Sequence, residues 1–194
     1  MPNALAPGMT AIATHPKYIV GTWTLEPVHS EISFAVRHLA ISKVRGKFEK
    51  FDVTIVTAED PKDSTIEATV DVSSVNTGQD ARDNHLRSSD FFLVEEHPNM
   101  TFLAKGSEIV IDGENFTING QLTLRGVTQP VTLTGELGGV IDDPYGNVRA
   151  GATASAKINR QDFGVSWNAA LEAGGFTLGD EVTINLEIQV LLQK

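Results

Sequence analysis

The 194 residues of the chain suit one domain, because all-β barrels and sandwiches often reach this size without dividing. The formal net charge of -10 at pH 7 argues against nucleic acid as a partner, and against tight adsorption to anionic membranes. Without cysteine, the chain has no disulfide and no thiolate metal site. No segment approaches the ~18 uninterrupted apolar residues that a membrane-spanning helix needs, so no integral membrane segment is expected.

We expect residues 1–20 to form a flexible tail ahead of a single domain at residues 21–194. The leader, residues 1–14, is interrupted by Pro2, Pro7 and Gly8, and it has neither a basic start nor a compact apolar centre. It therefore does not resemble a secretory signal peptide. With the first residue taken as the native start, the expected location is cytoplasmic.

From residue 22 onward, apolar and polar residues alternate with a period of two, which is typical of strands with one apolar face and one solvated face. The apolar sets are Ile32, Phe34, Val36 and His38; Ile66, Ala68, Val70 and Val72; Met100, Phe102 and Ala104; Phe116, Ile118, Gly120, Leu122 and Leu124; Val131, Leu133 and Leu137; Val182, Ile184, Leu186, Ile188 and Val190. About eight such strands predict an all-β sandwich or up-and-down barrel.

Turn residues between these runs predict hairpins rather than crossovers. Asp112 and Gly113 form a strong hairpin signal, and residues 142–147 predict a second reversal. The apolar phase switches from even to odd positions at Glu49 and Lys50, which predicts a β-bulge there. Residues 77–80 resemble a capping box, and residues 81–88 predict one short helix.

Four alanines at alternate positions, Ala150, Ala152, Ala154 and Ala156, are unusual for one face of a strand. They leave a volume that neighbouring strands must fill or that a ligand occupies. One interpretation is tight packing under a bulky aromatic side chain, because cores alternate large and small residues. The other is a ligand cavity, and a barrel of about eight strands accommodates either.

Basic residues are densest at Lys43, Arg45 and Lys47, on the strand face opposite Val44. The simpler interpretation is a solvated outer face, since barrel exteriors are normally charged. The alternative is that Arg37, Lys43 and Arg45 surround the barrel mouth and bind an anionic head group such as pyrophosphate. His38 has two interpretations as well, a hydrogen-bonded core or rim histidine and a polar group that faces a ligand.

No pattern of catalytic or metal-binding residues is evident. The five histidines are scattered without the short spacings of a metal site, and no Gly-x-Ser-x-Gly elbow is present. We therefore expect no catalytic residue, no metal and no cofactor.

Several sequence blocks resemble the YceI-like family in their order along the chain. They are residues 23–26 (WTLE), 29–34 (HSEISF), 36–38 (VRH), 44–48 (VRGKF), 81–86 (ARDNHL), 89–92 (SDFF), 97–98 (HP), 120–128 (GQLTLRGVT) and 158–164 (INRQDFG). The resemblance implies a lipocalin-like, calycin-type extended β-barrel that holds a polyisoprenoid, for example a polyprenyl diphosphate or the tail of a quinone. It also implies a role in transport, storage or stress, a dimer in some members, and no established catalytic residues. Many members are exported to the periplasm, and the absence of a recognisable signal peptide departs from that pattern.

A carrier must line its interior with aliphatic and aromatic side chains and keep polar groups at the mouth. The predicted ligand-binding residues are Phe34, Val36, His38, Phe48, Val70, Phe102, Leu122, Leu133, Trp167, Leu171, Phe176, Ile184, Leu186 and Ile188. Two further hypotheses stay open at this point, a barrel with a filled core that acts as a structural or protein-interaction module, and an enzyme that acts on a small amphiphile.

Overall fold

The computed structural model describes residues 17–172 and 174–194. The strands are β1 (Gly21–Leu25), β2 (Glu31–His38), β3 (Ser42–Phe48), β4 (Phe51–Thr57), β5 (Thr65–Asp71), β6 (Val75–Asn76), β7 (Asn99–Lys105), β8 (Ile109–Asp112), β9 (Asn115–Leu124), β10 (Val127–Asp142), β11 (Val148–Asn159) and β12 (Leu178–Leu192). The α-helix is α1 (Asp80–Arg87), and short 3-10 turns lie at Pro27–His29, Pro61–Asp63, Val72–Ser74, Gly106–Glu108 and Arg160–Phe163.

Eight of the strands close into a barrel. They pair in the order β1, β4, β5, β7, β9, β10, β11 and β12, and β12 pairs with β1 to complete the ring. All of these pairs are antiparallel. The other four segments lengthen the wall: β2 pairs with β12, β3 with β2, β6 with β3, and β8 with β9. The predicted antiparallel barrel is confirmed.

The strand register places the alternating apolar residues on the inner face. Ala154 lies opposite Leu186, Leu186 lies opposite Ile32, and Ile32 lies opposite Phe48. Because directly opposed residues share one face of a sheet, these four side chains form one layer of the interior. Phe48 in turn lies opposite Val75, which is fully buried.

The irregularity predicted at Glu49 and Lys50 is present and is larger than a single-residue bulge. Between the pairs Phe48–Val75 and Phe51–Val70, two residues on one side oppose four on the other. The four include the 3-10 turn Val72–Ser74, whose Ser74 hydroxyl accepts a hydrogen bond from the Lys50 backbone N–H. The wall therefore bends here, and β3 and β6 extend one end of the barrel beyond β4 and β5.

Both predicted reversals are hairpins. Gly113 has a φ of 64° in the two-residue loop between Asp112 and Asn115, a left-handed conformation that glycine adopts without strain. At the β10–β11 reversal, the Asp143 carboxylate accepts hydrogen bonds from the backbone N–H of Tyr145 and Asn147 and from the guanidinium of Arg149.

Helix α1 begins two residues later than the predicted capping box implies. Its N-cap is Gln79, whose side chain accepts a hydrogen bond from the Arg82 backbone N–H. Thr77 instead donates from its backbone N–H and its hydroxyl to the buried Asp83 carboxylate, at 2.9 and 2.6 Å. Arg87 donates to the Val75 carbonyl, which holds the helix against β6 at one end of the barrel.

Part of the predicted tail packs against the barrel. The Tyr18 hydroxyl donates to the Ala58 carbonyl at 2.7 Å and lies 3.0 Å from the Ser64 hydroxyl. The rest of that prediction, residues 1–16, lies outside the described residues. Within the described part of the chain, no helix is long and apolar enough to cross a membrane.

Candidate ligand-binding lumen

Within the part of the chain that the structure describes, three cavities lie in series in the interior of the barrel. The main cavity, of about 510 Å³, lies between α1 and the β2–β3 hairpin, at the end that we name the mouth. The middle cavity has a volume of about 150 Å³ and shares Ile32, Met100 and Ile184 with the main cavity. The lower cavity, of about 220 Å³, lies at the opposite end of the barrel and shares Phe116 and other residues with the middle cavity.

Aromatic rings form much of the wall of the main cavity. The centroids of Phe34 and Phe48 are 5.6 Å apart, and those of Phe48 and Phe92 are 5.9 Å apart. On the other side, the rings of Phe91 and Trp167 are 5.3 Å apart. Tilted pairs at these distances are favourable aromatic contacts, and they give the cavity a rigid apolar lining.

Arg160 is a buried charge in the wall of the main cavity. Its guanidinium donates four hydrogen bonds, to the carbonyls of Gly179, Val165 and Trp167 and to the Asp180 carboxylate. Burial lowers the pKa of Arg160, and the nearby Asp180 opposes that effect. Because most of its donors are used within the chain, Arg160 holds the segment after β11 in place beside the cavity.

Polar side chains of the main cavity lie at the mouth and on α1. His38, Ser42 and Thr177 are at the mouth, and Arg82 and His85 are on α1. Arg82 donates to the Thr77 hydroxyl and carbonyl, so its position is fixed. His85 contacts the Asp90 carboxylate at 2.8 Å and meets the Trp167 ring edge-on at 4.7 Å between centroids.

The alternating alanines of β11 line cavities. Ala150 faces the lower cavity, Ala152 faces the lower and middle cavities, and Ala154 faces the middle cavity. Ala156 is buried in the core. Of the two interpretations of this pattern, the cavity is the one that the structure supports.

Residues that precede β1 line the lower cavity. Lys17, Tyr18 and Ile19 line it, together with Trp23, whose indole N–H donates to the Thr57 hydroxyl at 3.0 Å. The Lys17 ammonium donates to the Val140 carbonyl at 2.9 Å. A short segment of chain thus forms the floor of the barrel.

Comparison with known proteins identifies the family. Residues 23–190 match the family model described as YceI-like domain. This chain belongs to the YceI-like family. A UPF0312 protein of Staphylococcus aureus (strain MSSA476) is 39% identical over 167 residues, covering 82% of this chain and 91% of that protein.

Solved structures of a YceI protein and of two further proteins have a similar fold. The Campylobacter jejuni YCEI protein is 30% identical, with a TM-score of 0.68, over 81% of this chain and 90% of its own. BcnA of Burkholderia cenocepacia has a TM-score of 0.71 at 19% identity, over 85% of this chain and 98% of its own. A polyisoprenoid binding domain from Saccharophagus degradans has a TM-score of 0.63 at 17% identity, over 88% of this chain and 98% of its own. The last two likenesses concern the fold alone.

Twelve of the fourteen predicted ligand-binding residues of this YceI-like chain line the main or middle cavity. Phe34, Val36, His38, Phe48, Trp167 and Ile184 line the main cavity; Val70, Phe102, Leu122, Leu133, Ile184, Leu186 and Ile188 line the middle cavity.

The other two, Leu171 and Phe176, do not line the cavities described above. Leu171 is 36% exposed and Phe176 is 65% exposed. A bridge between Ala170 and Phe176 folds this irregular segment back on itself at the mouth, so both side chains remain on its outside.

The predicted head-group residues lie on the outer surface of the YceI-like barrel. Arg37, Lys43 and Arg45 are exposed, and none of them lines the main cavity. Arg37 and Lys43 are opposed on the face of the β2–β3 pair that points away from Val36 and Val44. The alternation that places those valines inside therefore places the basic residues outside.

Sequence reasoning missed Arg82, His85 and Arg160 as residues of the lumen. All three lie in blocks that carry the family resemblance, residues 81–86 and 158–164, which was the available signal. Period-two alternation did not reveal them, because they lie on a helix and a 3-10 turn. Within the described residues, no three histidine, aspartate or glutamate side chains cluster to hold a metal ion.

Proposed function

We propose that this protein binds a long-chain isoprenoid lipid, a polyprenyl diphosphate or an isoprenoid quinone, and acts as its carrier or store rather than as an enzyme. The observation that supports this most is the series of three cavities with apolar walls along the barrel axis. A protein of similar fold from Saccharophagus degradans is described as a polyisoprenoid binding domain, which agrees with the proposal.

An apolar tail needs such a shelter because water excludes it. Burial of each CH₂ group contributes roughly 0.8 kcal/mol, so a free isoprenoid tail aggregates or enters a bilayer. The main cavity alone, at about 510 Å³, lies within the usual size range of small-molecule sites. A tail that starts there extends into the middle and lower cavities.

Three side chains line both the main and the middle cavity, and one of them is flexible. Met100 lines both cavities, and its unbranched side chain has three rotatable bonds. Ile32 and Ile184 complete the shared wall. We expect a rotation of Met100 to widen the passage between the two volumes while the strands stay in place.

Polar residues at the mouth suit the head group. His38, Ser42 and Thr177 supply donors and acceptors for a quinone carbonyl or a phosphate oxygen. Arg82 adds a positive charge on α1 that favours a diphosphate. The head group therefore remains near solvent while the tail is buried.

The filled-barrel hypothesis is less well supported. A solid core would leave no volume beside the alanines of β11, but Ala152 and Ala154 line the middle cavity of about 150 Å³. Leu186 and Ile188, their partners on β12, line the same cavity and do not fill it.

The direct test is to fill the middle cavity. Ala154→Trp places a large ring inside, and Ser155→Trp adds the same bulk to the exposed outer face of β11. Native mass spectrometry of each protein, mixed with polyprenyl diphosphates or quinones, measures the bound fraction. We expect Ala154→Trp to lose long-tailed ligands and Ser155→Trp to retain them. Equal binding by both variants would show that the tail does not enter the barrel.

A further inference from the structure

Four exposed apolar side chains surround the mouth, and we name them the apolar rim. They are Leu39 and Ile41 in the β2–β3 loop, and Leu171 and Phe176 in the loop before β12. Ile41 is 84% exposed and Phe176 is 65% exposed. Large apolar side chains grouped around one opening are typical of a surface that contacts another apolar phase.

The apolar rim is continuous with the main cavity. His38, Ser42 and Thr177 line the cavity, and each is the sequence neighbour of a rim residue. The backbone N–H of Leu39 donates to the Thr177 carbonyl at 2.8 Å, so the two loops lie side by side. Whatever covers the rim therefore also covers the entrance to the lumen.

The β2–β3 loop retains apolar residues at a cost in backbone energy. Leu39 and Ala40 have φ values of 52° and 56°, in the left-handed region where glycine and asparagine are usual. Bulky residues persist in such conformations only where the surrounding structure holds them, and these positions cluster at ligand sites and switch regions. The turn requires this backbone conformation, and glycine or asparagine would adopt it with less strain than Leu39 does.

Basic residues extend from the apolar rim along the outer face of β2 and β3. We name Arg37, Lys43, Arg45 and Lys47 the basic stripe. Residues two apart on a strand are about 6.6 Å apart, so Lys43 and Lys47 span roughly 13 Å. Within the described residues, none of the four forms an ion pair with a carboxylate.

Two acidic groups close to the basic stripe are engaged in ion pairs. Asp180 binds Arg160, and Glu181 binds Lys157, in the part of β12 opposite Arg37. Glu172 lies in the same loop as Phe176, while Glu31 and Glu49 lie at the end of the stripe farther from the mouth, where Glu49 accepts a hydrogen bond from Asn76. The stripe is therefore a local positive surface on a chain whose net charge is -10.

We propose that the apolar rim and the basic stripe dock the mouth onto an anionic lipid bilayer, where the protein loads and releases its ligand. This inference rests on the proposed function, because a long isoprenoid tail resides in a bilayer and does not cross water alone. The rim side chains enter the interface, and the stripe attracts the acidic head groups. The basic stripe thereby overcomes locally the repulsion expected from the net charge.

The test is sedimentation of the full chain with vesicles of phosphatidylcholine alone or mixed with phosphatidylglycerol, at low and at moderate salt. We expect binding to the anionic vesicles that weakens with salt. Ile41→Ser with Phe176→Ser should lower the partition coefficient roughly tenfold or more, because two apolar side chains leave the interface. Lys43→Gln with Arg45→Gln should abolish the preference for phosphatidylglycerol.

A matched control lies at the opposite end of the barrel. Ile141 and Tyr145 are 62% and 84% exposed on the β10–β11 hairpin, and Ile141→Ser with Tyr145→Ser should leave vesicle binding unchanged. The inference is overturned if the wild type does not bind anionic vesicles. It is overturned as well if the rim variant (Ile41→Ser with Phe176→Ser) and the control variant lose vesicle binding equally. It is also overturned if ultracentrifugation shows that the rim closes against a second copy of the chain.

Failure of the docking inference is distinguishable from failure of the proposed function. Ligand binding is measured separately, in detergent solution without vesicles, by native mass spectrometry. The rim variant should bind the ligand there as the wild type does. Loss of ligand binding by every protein in that assay would refute the carrier function, whatever the vesicles show.

Discussion

Gly46 on β3 leaves the space that the ring of Phe34, its partner on β2, occupies. A Cβ atom at position 46 would lie 2.5 Å from Cζ of Phe34, closer than real atoms approach. The same relationship joins Phe116 to Gly135, its partner on β10. In both pairs the glycine lets a large ring lie against the wall, and the lumen remains open.

Gly46→Ala should narrow the main cavity. The added methyl group meets the Phe34 ring and, at 2.8 Å, the methyl group of Thr77, so the ring must move toward the lumen. We expect a stability loss of about 1–3 kcal/mol from overpacking, with weaker binding of the long-tailed ligand. Urea unfolding measures the first effect and native mass spectrometry the second.

Gly151→Ala is the control for that substitution. A Cβ atom at Gly151 would lie 3.8 Å from Cγ of Gln189, which is ordinary contact, so neither stability nor ligand binding should fall appreciably. If Gly46→Ala binds the ligand as tightly as Gly151→Ala does, the Phe34 ring does not control the volume of the main cavity.

Arg160→Met should destabilise the fold. The substitution removes the donors of three carbonyls, those of Gly179, Val165 and Trp167, and leaves them unpaired in a buried environment. We expect a decrease of about 2–4 kcal/mol in the free energy of unfolding. Lys157→Met, on the same side of the barrel, removes an exposed ion pair with Glu181 and should cost less than about 1 kcal/mol. Similar losses for both variants would contradict the role given to Arg160.

The strands were predictable from the sequence because the alternation of apolar and polar residues that produces them is local. Alternation such as Val182, Ile184 and Leu186 reports directly which face of a strand is buried. The two hairpins were predictable for the same reason, since Gly113 and the Asp143 turn carry their own conformational preference. The N-cap of α1 was not predictable, because the Thr77 hydroxyl donates to the Asp83 carboxylate and Gln79 is the N-cap residue instead.

The lumen was predictable only in part. Inward strand positions such as Phe102 and Leu122 follow from alternation, and they line the middle cavity. The irregular segment before β12 has no alternation, so nothing in its sequence places Phe176 outside and Trp167 inside. The orientation of that segment depends on Arg160, whose hydrogen bonds to distant carbonyls leave no trace in a periodic pattern.

Tyr18 should limit the length of the bound tail. It lines the floor of the lower cavity, and its hydroxyl is held by Ala58 and Ser64. Tyr18→Ala should therefore shift the preference toward longer polyprenyl chains, which a series of chain lengths in native mass spectrometry measures. Tyr18→Phe keeps the ring and should retain the wild-type preference. An unchanged preference in Tyr18→Ala would mean that the tail ends above the lower cavity.

Asp143 should make the stability of the fold, through the β10–β11 hairpin, depend on pH in the acidic range. The guanidinium of Arg149, 2.6 Å from its carboxylate, and the backbone N–H of Asn147 hold the pKa of Asp143 well below its usual range. The folded state therefore keeps the carboxylate ionised below the ordinary value of about 3.9, where the unfolded chain takes up a proton. The stabilisation is complete above that value and is lost as the pH falls below it. Melting temperatures from pH 7 to about pH 2.5 should show that Asp143→Asn is less stable at neutral pH and that its difference from the wild type narrows below about pH 4. Asp142→Asn removes the adjacent exposed carboxylate, and its difference in melting temperature from the wild type should not narrow in acid. A difference between Asp143→Asn and the wild type that widens in acid would contradict the prediction.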